Sequence, residues 1–392
     1  MTAVTLPAVT PFTAGNPLLL ALAGANFAVG LAAFGVVGTL APLAGSLGIS
    51  PATAGWLLTA YALVYAIGSP LLVAATGATD RRRLLLVGLV VIALGNTLAA
   101  VAPDYATILA GRVLTAFGAA VVTPVAAAIA VAGSAPEGRG RALGLVFGGF
   151  TLAQAFGVPL GSWLAYGFGW RTAFEVTAAV ALLAAVPLAT ILPRGLPRGG
   201  SSLSALGGVL RQGRLVLGIG FTALFMGAAF IPYTYLGPLL HERAGLDAAG
   251  ISLAFLVFGL GGVAGNALGS ALLPRLGADR TLLILCLVAM ALPPALTLGA
   301  WSAPTAMALV FVWSLFCFAF MVPQEARVAA LAPAAAPVML ALNASAIYLG
   351  TSLGATAGGL VHGSLGAAWL GPVSVLFALL ALTSVLALRP RT

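Results

Sequence analysis

The sequence predicts an all-α integral membrane protein in which twelve transmembrane helices form two parallel six-helix repeats. Three observations predict it. Of 392 residues, 61% are hydrophobic and 6% charged, with a mean hydropathy of +1.13; a soluble domain carries about 25% charge. About twenty apolar residues cross a bilayer, and Pro, Gly and charged residues divide this chain into twelve such runs. The arginines alternate in step with that division. The same composition excludes a large soluble domain, an intrinsically disordered chain and a secreted disulfide scaffold.

Residues 1–16 carry neither a basic stretch ahead of the apolar run nor a cleavage pattern, so they read as a short tail before an uncleaved first span. The first six spans are predicted over 17–46, 52–77, 84–102, 105–133, 141–166 and 171–192. The second six are predicted over 215–240, 248–273, 281–300, 304–331, 338–366 and 368–388. Each run is apolar nearly all round, as a helix in lipid or inside a bundle is. None alternates as the strands of a membrane barrel do.

All 17 basic side chains are arginine. With the N-terminus in the cytoplasm, Arg81, Arg82, Arg83, Arg139, Arg141, Arg194, Arg198, Arg211, Arg214, Arg275, Arg280, Arg327, Arg389 and Arg391 fall on the cytoplasmic side. Arg171 and Arg243 fall outside, and Arg112 lies within a span. Positive charge marks the cytoplasmic side, and a miscount of one helix would scatter the asymmetry. Both termini are therefore expected in the cytoplasm. The net charge of +9 reports topology rather than a nucleic-acid partner.

The longest polar stretch, 193–214, joins the sixth and seventh spans and holds Gly199, Gly200, Ser201, Ser202 and four arginines. It reads as a cytoplasmic linker between an N-terminal six-helix bundle (1–192) and a C-terminal one (215–392). The halves echo each other at an offset of roughly 200 residues. Gly77-Ala-Thr-Asp80-Arg81 has a counterpart in Gly277-Ala-Asp279-Arg280. Gly157-x-x-x-Gly161 matches Gly354-x-x-x-Gly358, and Gly48-Ile-Ser50 matches Gly245-Leu-Asp247, where Ser50 and Asp247 suit helix N-caps. An even number of spans per half makes the repeat parallel, with a cavity expected between the halves near the midplane.

Four motifs stand out. The loop after the second span reads Gly77-Ala-Thr-Asp80-Arg81-Arg82-Arg83-Leu84, and the fourth span carries Gly111-Arg112 followed by Gly118. The fifth carries Gly148, Gly149, Gln154, Gly157, Pro159 and Gly161, with Trp170-Arg171 beyond it. The tenth ends in Pro323-Gln324-Glu325-Ala326-Arg327, and the eleventh holds Asn343, Ser345, Tyr348, Gly350, Gly354 and Gly358. On these residues the chain resembles the major facilitator superfamily over essentially its whole length, and within it the bacterial drug:proton antiporter branch that includes sugar and arabinose effluxers.

The resemblance implies a role for each motif, and each role has a plainer alternative. Gly77, Asp80 and Arg81 would form a latch, the aspartate facing the positive N-terminal end of the eleventh helix; the alternative is that the arginines only fix topology. Arg112 would take part in proton coupling. A charge two turns into a span costs about 2.5–3.5 kcal/mol on insertion scales, so Arg112 should face the bundle interior or the cavity; the alternative is snorkelling to the interface. The glycines and Pro159 of the fifth span are associated with efflux, although close helix packing alone would call for Gly157, Pro159, Gly161, Gly354 and Gly358.

Candidate substrate contacts are the mid-span Asn26, Tyr61 and Gln154 together with Tyr233, Asn343 and Tyr348; interhelical hydrogen bonding is the alternative for each. Phe34, Tyr65, Tyr235, Phe258 and Trp313 form a second rank of possible cavity residues. Acidic residues near or within the spans are scarce, which leaves Glu175 and Glu325 as candidate titrating groups, with interfacial ion pairing as the alternative.

These readings point to proton-coupled efflux of small neutral or amphipathic molecules, sugars or drugs, by alternating access in a bacterial cytoplasmic membrane. A cavity with few charges offers no counter-charge to a strongly anionic or polycationic cargo. Uptake or facilitated diffusion on the same fold is the first alternative and a non-transport membrane sensor a remote one. No H-E-x-x-H pair, no paired metal ligands and no Walker loop occurs. Cys286 and Cys317 lie in apolar runs and read as small buried hydrophobes, and His241 and His362 are far apart in sequence. The expected partners are therefore a small-molecule substrate, protons and the lipid bilayer, with no cofactor, no metal, and a monomeric chain.

Overall fold

The computed structural model describes residues 16–76, 79–134, 139–193 and 203–388. Of the residues named above, Gly77 and Arg194, Arg198, Arg389 and Arg391 lie outside that set, as do residues 194–202 of the predicted linker. The first six helices are α1 (Pro17–Leu47), α2 (Pro51–Ala75), α3 (Arg81–Ala100), α4 (Tyr105–Ala132), α5 (Arg139–Phe168) and α6 (Trp170–Ile191). A short helix, α7 (Leu203–Leu210), follows, then α8 (Gly213–Tyr233), α9 (Leu236–Ala244), α10 (Ala248–Leu276) and α11 (Ala278–Leu298). The chain closes with α12 (Ala303–Phe318), α13 (Met321–Leu331), α14 (Ala336–Leu365) and α15 (Leu370–Leu388). No strand occurs among the described residues. Twelve stretches are long and apolar enough to cross a membrane. Leucines as exposed as Leu183 (68%) and Leu360 (67%) point outward from them, as lipid-facing side chains do.

Local chemistry sets the helix ends. Asn16, Ser50, Asp80, Asp104, Asp247 and Ser302 cap α1, α2, α3, α4, α10 and α12, each side chain accepting an N–H from the first turn. Gly48 ends α1 and Gly245 ends α9, both left-handed at φ 64° and 62°, a conformation that costs glycine nothing. Gly169 (φ 95°) and Gly366 (φ 86°) turn α5 into α6 and α14 into α15. Gly48/Gly245, Gly169/Gly366, Gly157/Gly354 and Gly161/Gly358 all share one sequence offset. The repeat is thus present in the backbone as well as in the residue pattern.

Two predicted spans are not continuous. The tenth breaks at Ala319–Phe320, between α12 and α13. Pro323 has no N–H to give the carbonyl four residues back, that of Ala319. The seventh stops after Pro232 and Tyr233, turns through Thr234 and Tyr235, and resumes as α9. Irregular backbone at membrane depth is tolerated where it lines a hollow or is covered by protein, and both breaks lie in such places.

Packing repeats as well. α1 packs on α5 and α6, α2 on α4, and α3 on α6; α8 packs on α14 and α15, α10 on α12, and α11 on α15. Small residues allow the closest approaches. On α5, Gly149 meets Ala23 and Gly161 meets Gly35 of α1. On α14, a Cβ at Gly354 would stand 2.6 Å from the Gly227 carbonyl of α8, and one at Gly358 would stand 2.5 Å from that of Ile231. With no hydrophobic driving force between helices in lipid, such backbone contact supplies dispersion energy that a larger side chain would remove. Among the described residues, extensive packing between the first six spans and the last six is confined to α2 with α14 and α5 with α10. The linker helix α7 packs on α8 and α14, with Val209 in a small apolar cluster of the second half.

Candidate functional site

Residues of both halves wall a hollow along the α5–α10 seam. Phe34 of α1 and Thr151, Gln154 and Ala155 of α5 form one side. Phe230 and Tyr233 of α8, Phe258, Gly259, Gly262, Val263 and Asn266 of α10, and Phe318 and Met321 at the α12–α13 break form the other. The walls carry five aromatic rings and no charged side chain. Phe34 meets Phe230 across the seam at 6.2 Å, and Tyr233 stacks on Phe258 at 4.3 Å.

The polar groups of this hollow are mostly unpaired. The Asn266 Oδ1 is buried without a hydrogen-bond partner. Neither the Gln154 amide nor the Tyr233 hydroxyl makes a hydrogen bond among the described residues. Thr151 donates to its own helix, to the Phe147 carbonyl. Buried polar groups are almost always paired in folded proteins; the buried Asn266 Oδ1, beside the unpaired Gln154 and Tyr233, leaves hydrogen-bonding capacity open to a molecule in the hollow.

A second cluster spans the α2–α14 seam. Tyr65 stacks on Tyr348 at 3.8 Å, with Tyr61 6.3 Å from each. Behind Tyr61, at 4.5 Å from its ring centre, lies the Arg112 guanidinium, 1% exposed. Arg112 donates to the carbonyls of Ala32 (2.6 Å) and Ala33 (3.4 Å) on α1 and of Leu57 (3.2 Å) on α2. No carboxylate pairs with it among the described residues. It is a buried, unneutralised cation in the interior of the first half.

Direct hydrogen bonds and a buried tyrosine join the halves toward the end where α1 turns into α2. Ser162 of α5 and Ser252 of α10 share a hydrogen bond of 2.8 Å, and Thr356 of α14 donates to Thr59 of α2 at 3.3 Å. Tyr235, 1% exposed, donates to the Ala355 carbonyl at 3.2 Å and stacks on His362 at 5.4 Å. Its hydroxyl fills the space left by two glycines, one on each half. A Cβ at Gly359 would stand 2.7 Å from that hydroxyl, and one at Gly55 would overlap it and lie 2.9 Å from Cζ.

Of the six candidate contacts, the structure brings Gln154 and Tyr233 to the hollow. Tyr61 and Tyr348 belong to the tyrosine cluster, each with its hydroxyl unpartnered. Asn26 is fully buried on α1, donating to Leu22 with its Oδ1 free. Asn343 lies inside the second half, accepting from Thr222 at 2.5 Å and from Gln324 at 3.4 Å. Glu175 is exposed on α6, a helix packed on α1, α3 and α5. Glu325 is exposed one turn beyond Met321 on α13; residues four apart share a helix face, so it continues the face that lines the hollow. Asp80 caps α3 through the Arg83 N–H at 2.9 Å, and Arg82 reaches the Ala189 carbonyl. In the second half, Asp279 pairs with the buried Arg327 at 2.9 Å.

Sequence reasoning missed Thr151, Phe230, Asn266, Phe318 and Met321. Asn266 left a signal, an amide in the middle of an apolar span; the aromatic and apolar positions left none, because their neighbours are equally apolar.

The profile described as Major Facilitator Superfamily matches residues 22–326. The chain is 33% identical to the chloramphenicol resistance protein of Streptomyces lividans over 93% of its length and 94% of that protein's. It is 31% identical to the inner membrane transport protein YdhP of Escherichia coli (strain K12), covering 94% of this chain and 95% of that one. A probable sugar efflux transporter of Mannheimia succiniciproducens is 28% identical, with 91% and 89% covered. Among solved structures, that of a POT family transporter in complex with a thioalcohol conjugated peptide superposes with a TM-score of 0.79 at 13% identity, covering 95% of this chain and 96% of that one. At that identity the likeness shows the fold.

Proposed function

The chain belongs to the Major Facilitator Superfamily and is a membrane transporter, and from that premise we propose that it exports small uncharged or amphipathic molecules by alternating access, driven by protons. The observation that carries this reading is the hollow between the halves, walled by both and ringed by unpaired polar groups. Two bodies meeting along narrow seams can rock about such a hollow and expose it to each side in turn. The bodies are 1–192 and 215–392, joined through 193–214. Arginine asymmetry supports an outside α1–α2 turn and cytoplasmic termini; in that orientation the contacts at the α1–α2 end would close the outward side. Gly77, Asp80 and Arg81 then lie on the cytoplasmic side, where they would latch the opposite state. The bacterial cytoplasmic membrane is the setting that YdhP's name supports.

Export is favoured over uptake by the names of two relatives, one a resistance protein and one a sugar efflux transporter. Cells expressing the chain should accumulate less labelled chloramphenicol, or less of a labelled sugar, than cells without it. The difference should vanish when an uncoupler collapses the proton gradient. Higher accumulation in the expressing cells would overturn export, and indifference to the uncoupler would overturn proton coupling.

Glu325 is the better placed of the two candidate carboxylates, because it continues the cavity-lining face of α13 whereas Glu175 sits on the outer face of α6. An unneutralised Arg112 in a low-dielectric interior disfavours further positive charge nearby, which promotes proton release and discourages cationic cargo. In proteoliposomes, Glu325→Gln is expected to lose most of its response to a pH gradient, and Glu175→Gln to keep it. A full response in Glu325→Gln would remove that carboxylate from the mechanism.

A further inference from the structure

We infer that the hollow selects an uncharged, ring-bearing molecule with a few hydrogen-bonding groups over a polyol or an ion, with Asn266 as the acceptor that reads it. This rests on the reading of the hollow as the transport site and narrows its substrate class.

The walls carry the first part of the argument. Phe34, Phe230, Tyr233, Phe258 and Phe318 present rings from both halves. Such faces and edges accept a flat ring in stacked or edge-on contact and leave little polar surface. A hexose brings a hydroxyl on nearly every carbon, and each loses water on entry. An unpaired polar group costs about 1–3 kcal/mol, and the unpaired side-chain groups here are the Gln154 amide, the Tyr233 hydroxyl and Asn266. They suffice for an amide or a hydroxyl or two, but not for a sugar. An ion fares worse, since no charged side chain lines the hollow and a buried charge without a partner is strongly disfavoured.

The second part concerns Asn266. Its Oδ1 is buried and has no partner, and among the described residues it is the unpartnered buried side-chain group that lines this hollow. An N–H or O–H on the occupant would pair it. A site built to hydrogen-bond its ligand discriminates strongly against analogues that lack the donor, because its own polar groups are then left unpaired.

The test is equilibrium dialysis of the detergent-solubilised full chain against para-nitrobenzamide, para-nitrobenzoate and methyl glucoside, alongside thermal melting. Para-nitrobenzamide should bind at least about tenfold tighter than the other two, and Asn266→Leu should weaken it by about tenfold, the value of one buried hydrogen bond. The melting temperature of Asn266→Leu should not fall, since an unpartnered acceptor is replaced by an apolar group of similar size. Asn266→Ser, which keeps an acceptor, should recover part of the affinity. Methyl glucoside or para-nitrobenzoate binding as tightly as para-nitrobenzamide would overturn the substrate class, as would binding of none of the three. Unchanged affinity in Asn266→Leu, or a melting temperature that falls with it, would overturn the role of Asn266. Failure here is distinct from failure of the export reading. Tight para-nitrobenzamide binding without energised movement would sink export alone, and energised movement of methyl glucoside in preference to para-nitrobenzamide would sink this inference alone.

Discussion

Gly55→Leu is expected to hold the two halves apart at the α1–α2 end and to reduce transport severely while the chain remains folded. The cause is steric and local. Tyr235 of the second half occupies the space that a side chain at Gly55 of the first half would need, and its hydroxyl is already bound to the Ala355 carbonyl. Forcing extra methylenes into a well-packed contact costs about 1–3 kcal/mol. That clash exists only while the halves are closed at this end, so it acts on the conformational equilibrium, where it amounts to roughly a five- to 150-fold shift. Ser162 and Ser252, whose hydroxyls touch at 2.8 Å across the other seam, supply the readout. Cysteines at these two positions, in a chain whose buried Cys286 and Cys317 are replaced, should cross-link readily in the parent and several-fold less in Gly55→Leu. Adding Tyr235→Ala should restore both cross-linking and part of the transport. If the double variant behaves like Gly55→Leu alone, the contact does not control closure.

The second large effect is expected at Arg112. Arg112→Met should lose most proton-coupled transport yet melt no lower than the parent. A guanidinium buried without a carboxylate carries a desolvation cost of several kcal/mol. Its three acceptors, the carbonyls of Ala32, Ala33 and Leu57, lie within helices whose own N–H groups also bind such carbonyls. An unbranched apolar side chain of similar length removes the cost and still covers the Tyr61 ring. Arg112→Lys keeps the charge but cannot reach three carbonyls on two helices with one ammonium, and should transport poorly too. A melting temperature that falls in proportion to the lost transport would make Arg112 a structural residue and nothing more.

The two seams reach the same end by different chemistry. Gly55 and Gly359 stand, at the repeat's offset, where Ser252 and Ser162 stand on the other seam. The serines bond directly to each other, whereas the glycines leave room for Tyr235. Nothing in the residue pattern foretold this. Gly354 and Gly358 of α14 read as packing residues, Gly55 and Gly359 carried no reading of their own, and Tyr235 read as one aromatic among several near a helix end. The polar candidates divided for a similar reason. Gln154 and Tyr233 reach the hollow, while Asn343 is engaged by Thr222 and Gln324. All are single polar groups in apolar spans, and nothing in their neighbours distinguishes one that pairs with protein from one left for an occupant.

The number of spans, their ends, the repeat and the family were all legible in the linear pattern. A helix in lipid must satisfy its backbone within itself, so its length, its caps and its left-handed glycine turns are local matters written in consecutive residues. Three features needed the packing: the placing of the tenth span's break beside the hollow, the carbonyls that receive Arg112, and the orphaned Asn266. In spans that are apolar all round, hydropathy does not say which face turns inward. That choice depends on how each helix rotates against neighbours hundreds of residues away.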